Sequence, residues 1–284
     1  MDIRGGRRSS NIEDRRGMRV GRTGVGLSVG GVLFLLVLSA LGINPLPYLG
    51  MATKEQTSQV DPQQPSTPYQ ESAEEAQLSD LARVVLGESE QTWDRLFGGQ
   101  YAPTTLVLYQ EATESGCGLG QAAMGPFYCP TDRKVYLDLT FFNELATRFG
   151  AAGDFAQAYV IAHEIGHHVQ NLEGTAAKVH DAQQRGGKGE ANALSVRMEL
   201  QADCYAGVWA HDAAPRLQVT EQDVQEALAA ANAIGDDRLQ KQAQGFVVPD
   251  SFTHGTSQQR QRWFAAGFQS GDPRACNTFQ TERL

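Results

Sequence analysis

The sequence has few of the residues that mark a small disulfide scaffold or a nucleic-acid-binding protein. Only 4 of its 284 residues are cysteine, too few for disulfide bonds to be the main support of a chain of this length. Its 24 Lys and Arg residues are outnumbered by 33 Asp and Glu, which gives a net charge of −9. Because nucleic-acid binding needs a positive face, we expect no nucleic-acid partner. With 41% hydrophobic and 20% charged residues, the chain suits a globular core.

One long segment near the N-terminus lacks charge altogether. Residues 1–23 are rich in arginine, and the following residues 25–43 (VGLSVGGVLFLLVLSALGI) contain no charged side chain. A helix of that length spans roughly 28 Å, close to the hydrocarbon core of a bilayer. The flanking arginines predict an N-terminus in the cytoplasm. We therefore expect residues 1–23 to form a cytoplasmic basic tail and residues 24–43 a single transmembrane signal anchor, with a cleaved signal peptide as the alternative.

The segment after the anchor is predicted to be a flexible linker, residues 44–73. Much of it (MATKEQTSQVDPQQPSTPYQES) is rich in Gln, Ser, Thr and Pro and cannot bury enough apolar surface to order itself. The folded domain is then expected to occupy residues 74–284, a length that suits one hydrophobic core. This organisation places the domain outside the cytoplasmic membrane and attaches it to that membrane by its N-terminal helix.

Within the predicted domain, the sequence pattern indicates a small sheet among several helices. The strand candidates are TTLVLY (104–109) and KVYLDL (134–139), which are rich in β-branched and aromatic residues. Helices are predicted near residues 75–97, 141–149, 154–172, 191–211, 221–233 and 257–269. A small sheet accompanied by many helices predicts an α+β fold.

The even number of cysteines permits two disulfide bonds if the domain lies in an oxidising compartment. Pairing of Cys117 with Cys129 would close a local loop, and pairing of Cys204 with Cys276 would fix the C-terminal segment. Four cysteines allow three connectivities, among which the sequence does not choose. A four-cysteine zinc site is the competing interpretation, and no C-x-x-C spacing supports it.

The most informative motif is His163-Glu164-Ile165-Gly166-His167, an H-E-x-x-H on a predicted helix. Side chains four residues apart share a helix face, so both imidazoles can reach one zinc ion while Glu164 takes a proton from a zinc-activated water. The alternative is a helix with two core histidines and a surface glutamate. The uncharged neighbours argue against it, since burial of Glu164 without a purpose would be costly. His168 points off the ligand face and is not expected to bind metal.

A third zinc ligand is expected from the next long helix. Glu199 and Asp203, in the segment ELQAD, lie one turn apart. Glu199 can bind the zinc ion while Asp203 accepts the free ring N–H of a ligating histidine. Small residues nearby, among them Ala202 and Gly207, would let this helix pack closely against the H-E-x-x-H helix. Glu190 is the alternative third ligand.

Together these motifs resemble those of gluzincin-type zinc peptidases and, more closely, a bacterial family described as putative neutral zinc metallopeptidases. The segments that carry the resemblance are Cys117-Gly118, GPFYCP (125–130), VYLD (135–138), HEIGHHVQ (163–170) and ELQADCYAGVWA (199–210). The resemblance implies a zincin-like fold, one zinc ion per chain and hydrolysis of peptide bonds. It also implies a bacterial cytoplasmic membrane as the location, with the catalytic domain periplasmic or extracellular.

Two further elements of the site follow from this resemblance. The segment Ser251-Phe252-Thr253-His254-Gly255 is similar to the downstream S-x-H-P region of membrane-associated gluzincins, which makes His254 a candidate for stabilising the oxyanion of the tetrahedral intermediate. A helix-capping loop with an exposed histidine explains the same residues. Such folds bind peptides along a strand beside the active-site helix, for which 104–109 and 134–139 are the candidates.

The sequence therefore predicts a membrane-anchored zinc metallopeptidase that acts on peptides or proteins, with Glu164 as general base. A non-catalytic envelope protein that serves as a scaffold or binding partner is one alternative. It would have no use for Glu164, and a structural zinc site would use four closed protein ligands. A zinc hydrolase of a non-peptide amide, such as a cell-wall bond, is the other.

Overall fold

A computed structural model describes residues 1–18 and 69–284 of the chain. The predicted signal anchor (24–43) and most of the predicted linker (44–73) lie outside these residues. Among the residues that are described, no helix is both long enough and apolar enough to cross a membrane.

The main sheet has four strands in the order β1-β2-β6-β5, where β1 is Ile12–Asp14, β2 Thr105–Tyr109, β5 Phe127–Cys129 and β6 Lys134–Asp138. β1 and β6 run parallel to β2, whereas β5 runs antiparallel to β6. The two predicted strands thus form the centre of the sheet, where their apolar side chains are buried on both faces. Strands β3 (Ala112–Ser115) and β4 (Gly118–Gln121) form a separate antiparallel hairpin.

The helices form most of the domain, and their hydrophobic core includes one face of the sheet, formed by Leu106, Leu108, Val135 and Leu137. They are α1 (Ala73–Leu96), α2 (Thr140–Thr147), α3 (Asp154–Leu172), α4 (Thr175–Arg185), α5 (Lys188–Ala213), α6 (Glu221–Ala233), α7 (Asp236–Gln244) and α8 (Ser257–Ser270). Capping boxes begin three of them, at Ser72 with Glu75, at Thr220 with Asp223 and at Thr256 with Gln259. The predicted α+β fold is confirmed, and α4, α7 and strands β3 to β5 are additions that the sequence pattern did not indicate.

Close helix packing depends on small residues at two places. A Cβ on Gly166 of α3 would lie 3.0 Å from the carbonyl oxygen of Ala202 on α5, so these two helices approach closely there. A Cβ on Gly207 would clash with the backbone of Phe264, and one on Gly267 with that of Cys204. Ala202 therefore faces the H-E-x-x-H helix as predicted, whereas Gly207 packs against α8 instead.

Both disulfide bonds that the sequence suggests are present. Cys117–Cys129 joins the tip of the β3–β4 hairpin to strand β5, and Cys204–Cys276 joins α5 to the C-terminal segment. No cysteine among the described residues is free. The alternative of a four-cysteine zinc site is therefore wrong.

Residues 1–18 belong to the same compact unit as residues 70–284. We call them the N-terminal arm. Their strand β1 extends the sheet at β2, with Ile12 opposite Leu106 and Asp14 opposite Leu108. From the sequence, the domain is expected to begin at residue 74 and residues 1–23 to form a tail on the other side of the membrane. The sequence pattern did not indicate β1, because a strand of only three residues, Ile-Glu-Asp, shows no hydrophobic alternation.

Candidate metal centre

Helix α3 presents the H-E-x-x-H residues on one buried face. His163 and His167 are one turn apart, and their ring centroids are 4.8 Å from each other. Both His163 and Glu164 are buried, although each retains a few per cent of exposed surface toward a cleft. The uncharged residues around them place the helix in the core, as the sequence predicts.

Helix α5 brings Glu199 to the two histidines. One carboxylate oxygen of Glu199 lies 3.2 Å from Nε2 of His163, and the other lies 3.4 Å from Nε2 of His167. The ligand atoms of these three residues all lie within 4.8 Å of one another, the arrangement of a potential metal site. Glu190, the alternative ligand, lies in the first turn of α5 and is not part of the cluster.

Hydrogen bonds on the far side of each ring orient the imidazoles. Nδ1 of His163 lies 2.8 Å from Oδ1 of Asp203, the partner that the sequence predicts. Nδ1 of His167 lies 2.9 Å from Oε1 of Gln170, a partner that the sequence did not predict. Because both acceptors favour a proton on Nδ1, both Nε2 atoms face the centre of the cluster, where a neutral ring would offer its lone pair to a metal ion.

Asp203 is fully buried and accepts hydrogen bonds from three side chains. Arg260 binds both carboxylate oxygens at 2.8 and 2.9 Å, and the hydroxyl of Tyr159 donates at 2.5 Å. Burial raises the pKa of Asp203, but the charges of Arg260 and His163 outweigh this effect and lower the pKa to about 2. The aspartate is therefore ionised and rigidly held. Tyr159 was not predicted from the sequence, since a tyrosine in a buried helix carries no motif.

Glu164 has a different environment from the other carboxylates of the site. No described residue donates a hydrogen bond to it, and its burial raises the pKa of its carboxyl group above the ordinary value. Glu199, in contrast, is partly buried. Desolvation raises its pKa, but the neighbouring His167 and His163 outweigh this effect and lower the pKa far below the ordinary value. Of the two glutamates, Glu164 is thus the one suited to exchange a proton.

The cluster lies at the base of a cleft of about 570 Å³. Aromatic and aliphatic side chains dominate the wall. They include Met124, Phe127, Tyr128, Phe141, Phe149, Val160, Ile234 and Leu239. An apolar cleft with a few convergent polar groups is typical of ligand-binding sites.

His254 lines the same cleft and is held by Asp236 at the start of α7. One oxygen of Asp236 lies 3.1 Å from Nδ1 of His254, and the other accepts the backbone N–H groups of Thr253, His254 and Gly255. The hydrogen bond to Asp236 raises the pKa of His254. Gly255 has a φ of 88°, so proline, with its φ fixed near about −65°, could not occupy this position.

His168 lies outside the metal cluster, as predicted. It is buried, and its Nε2 donates to the carbonyl oxygen of Ala102 at 2.7 Å, which leaves Nδ1 to accept the hydroxyl of Tyr128 at 3.0 Å. Burial lowers the pKa of His168 and favours the neutral ring. Since Tyr128 is part of β5, His168 ties that strand to α3.

The outer strand beside the cleft is neither of the two predicted strands. β2 lies between β1 and β6, and β6 lies between β2 and β5, so each has a neighbouring strand on both sides. β5 is an outer strand of the sheet, and its residues Phe127 and Tyr128 line the cleft. The sequence could not identify β5, because three residues beside a disulfide show no strand pattern.

Sequence comparisons connect this geometry with known proteins. A profile of the family described as "Putative neutral zinc metallopeptidase" matches residues 1–279. The Escherichia coli (strain K12) protein described as "Uncharacterized protein YpfJ" is 48% identical over 288 aligned positions, which cover 98% of this chain and 99% of that protein. "Uncharacterized protein Rv2575" of Mycobacterium tuberculosis (strain H37Rv) is 45% identical over 213 positions, 71% of each chain. No solved structure matches the chain.

Proposed function

We propose that this chain, which belongs to the family of putative neutral zinc metallopeptidases, is a zinc-dependent peptidase with a zincin-like fold that hydrolyses peptide bonds. The observation that carries the proposal is the position of Glu164 beside three potential ligands at the base of an open cleft. A structural zinc site would use four closed ligands, whereas a catalytic one keeps a position open for water or substrate.

The donor set fits one zinc ion per chain. His163 and His167 offer Nε2 lone pairs because their Nδ1 atoms are engaged by Asp203 and Gln170. Glu199 offers an ionised carboxylate between them. Two neutral imidazoles and one carboxylate are a ligand set of catalytic zinc sites. Zinc bound there would supply a water of lowered pKa and polarise the carbonyl group of the substrate.

Glu164 is the general base of the proposed reaction. Its carboxylate has no hydrogen-bond donor among the described residues and is buried, so it is free to accept a proton from the attacking water. It then donates that proton to the departing amine. His254 supports the same step from across the cleft, where its ring, held by Asp236, can donate a hydrogen bond to the developing oxyanion.

Strand β5 is the proposed docking edge for the substrate backbone. A peptide added along β5 would lie in the cleft and present its side chains to apolar walls that include Phe141 and Phe149. We expect peptide or protein substrates with bulky apolar side chains near the cleaved bond.

We further propose that the domain acts outside the cytoplasmic membrane. Two disulfide bonds support this location, since such bonds persist in oxidising compartments. Attachment to the membrane through residues 24–43 rests on the sequence pattern of that segment alone.

Metal content and peptide hydrolysis of the full chain test the function. Purified wild-type protein should contain one zinc ion, and Glu199→Ala should lose most of it, whereas Glu190→Ala should retain it as the matched control. The wild type should also cleave a peptide library made from an unfolded protein, with cleavage stopped by a chelator. A folded wild type without zinc would contradict the proposal, while zinc without cleavage of any peptide would favour a non-peptide amide or a non-catalytic role.

A further inference from the structure

The N-terminal arm lies in a groove that is shaped for it. Backbone hydrogen bonds hold it along its length, from the loop after α5 to the edge of β2. They join Asp2 to Leu217, Ser9 to Arg83, Asn11 to Leu106 and Arg15 to Leu108, at 2.7 to 2.9 Å. The arm is thus part of the folded unit and not an appendage that touches it at one point.

Two buried carboxylates on α1 accept hydrogen bonds from the arm. Glu90 is only 8% exposed, and both side chains that donate to it come from the arm, Ser9 at 2.5 Å and Asn11 at 2.7 Å. Glu88, two residues earlier on α1, accepts the backbone N–H of Arg7 at 2.8 Å and also pairs with Arg216 of the domain. Without the arm, Glu90 would lose both of its hydrogen-bond donors, which is costly wherever its carboxylate stays shielded from water.

The groove also has no room for a side chain where the arm crosses it. A Cβ on Gly87 would clash with the carbonyl group of Arg7 and would lie 2.9 Å from the backbone nitrogen of Ser9. On the other partner, a Cβ on Gly6 would lie 2.5 Å from Val84. Glycine on each side permits this close approach of arm and helix.

The end of the arm lies close to the residues that precede α1. The guanidinium of Arg16, near the end of the arm, is nearly inaccessible and pairs with Asp14 and with Glu71, which directly precedes α1. The chain therefore leaves the unit near residue 18 and re-enters it near residue 70 at neighbouring points.

We propose that the arm and residues 70–284 fold together in one compartment. If the domain lies outside the cytoplasmic membrane, as proposed above, the arginine-rich arm lies outside with it. A connection that crossed the membrane once would place the arm and its groove on opposite sides. This proposal revises the cytoplasmic tail and does not depend on the enzymatic activity.

Thiol labelling in the full chain tests the shared compartment. Ser10→Cys adds an exposed thiol to the arm, and Gln222→Cys adds one to the domain at the start of α6. The four native cysteines are engaged in disulfide bonds. In spheroplasts treated with a membrane-impermeant maleimide, both variants should be labelled before permeabilisation. Labelling of Gln222→Cys alone would overturn the proposal.

Protection of both thiols until permeabilisation would support the shared compartment but place it in the cytoplasm. That outcome would refute the proposed location of the enzyme and leave this inference intact. The two proposals are therefore distinguishable in one experiment.

Docking of the arm is tested by trypsin on the purified full chain. Cuts after Arg7, Arg8, Arg15 and Arg16 should be slow in the wild type. Gly87→Ala should make them roughly tenfold faster, because its Cβ overlaps the arm and the undocked population rises. Gly189→Ala is the matched control, since this helical glycine has open space around it.

A wild-type arm that is cut as fast as in Gly87→Ala would overturn the docking. If Gly87→Ala fails to fold, Asn11→Ala replaces it, with Ser10→Ala as the control. Faster cuts in Asn11→Ala alone support docking through Glu90, and equal rates in both variants contradict it.

Discussion

The metal centre and the groove of the N-terminal arm both contain buried carboxylates on helices, but they use them in opposite ways. Glu90 in the groove has two hydrogen-bond donors, so its charge is fully engaged. Glu164 in the metal centre has none among the described residues, and its pKa is raised by burial. A satisfied carboxylate stabilises a structure, whereas an unsatisfied one at a cleft is available for chemistry.

The largest effect is expected from Glu164→Gln, which should slow catalysis and leave the fold intact. Glu164→Gln should lower the rate of peptide hydrolysis by about 10²–10⁴-fold, because the amide cannot accept the proton of water. Zinc content should stay at the wild-type level, since Glu164 is not a ligand. Glu144→Gln, an exposed change on the cleft wall, should have little effect. A near-normal rate in Glu164→Gln would refute its role as the base.

Asp203→Asn should have the largest effect on stability. It removes the carboxylate that pairs with buried Arg260, so the free energy of unfolding should fall by about 3–5 kcal/mol in chemical denaturation. The affinity for zinc should fall by about 10–100-fold, since His163 loses its orienting partner.

The control for Asp203→Asn is Asp212→Asn. Asp212 pairs with the more exposed Arg95 and Arg216, so this change should cost about 1 kcal/mol or less. If the two variants lost equal free energy of unfolding, burial of the Asp203–Arg260 pair would not explain its contribution to stability.

Ser9→Ala tests how much the contact between the arm and its groove contributes to stability. It removes the hydroxyl that donates to buried Glu90, and the free energy of unfolding should fall by about 1–3 kcal/mol. Ser10→Ala, at the exposed neighbouring position, should change it by less than about 0.5 kcal/mol. The arm would not be a stable part of the fold if both variants unfolded like the wild type.

The smallest effect concerns the pair of His254 and Asp236 in metal-free protein. The hydrogen bond to Asp236 raises the pKa of His254, so its stabilising contribution is complete below about pH 6.5 and is lost as pH rises through the raised value. The pKa of Asp236 is lowered, so its contribution is lost in acid.

We expect His254→Gln to remove this part of the pH dependence. Between pH 6 and pH 9 the wild type should lose at most about 1 kcal/mol more stability than His254→Gln, because the histidine is half-exposed. Thermal unfolding at the two pH values measures the difference. A larger loss of stability in His254→Gln than in the wild type between pH 6 and pH 9 would contradict a stabilising pair of protonated His254 and Asp236.

Local spacing explains what was predicted correctly. His163 and His167 share a helix face because of their spacing alone. The apolar segments 105–109 and 134–138 are predicted to be strands from their local pattern, whatever their position in the fold. Contacts between distant segments explain what was missed. Arg260 and Tyr159 both reach Asp203 from other helices, far away in the chain.

The sequence by itself determined the α+β composition and the residues that could bind one metal ion, whereas it left the pairing of the cysteines open. Each depends on short-range periodicity or on the chemistry of single side chains. Only the tertiary structure decided that β5 is the strand beside the cleft, that Asp236 holds His254 and that residues 1–18 complete the sheet. These features arise from the packing of segments far apart in the chain, and packing complementarity has no signature in local sequence.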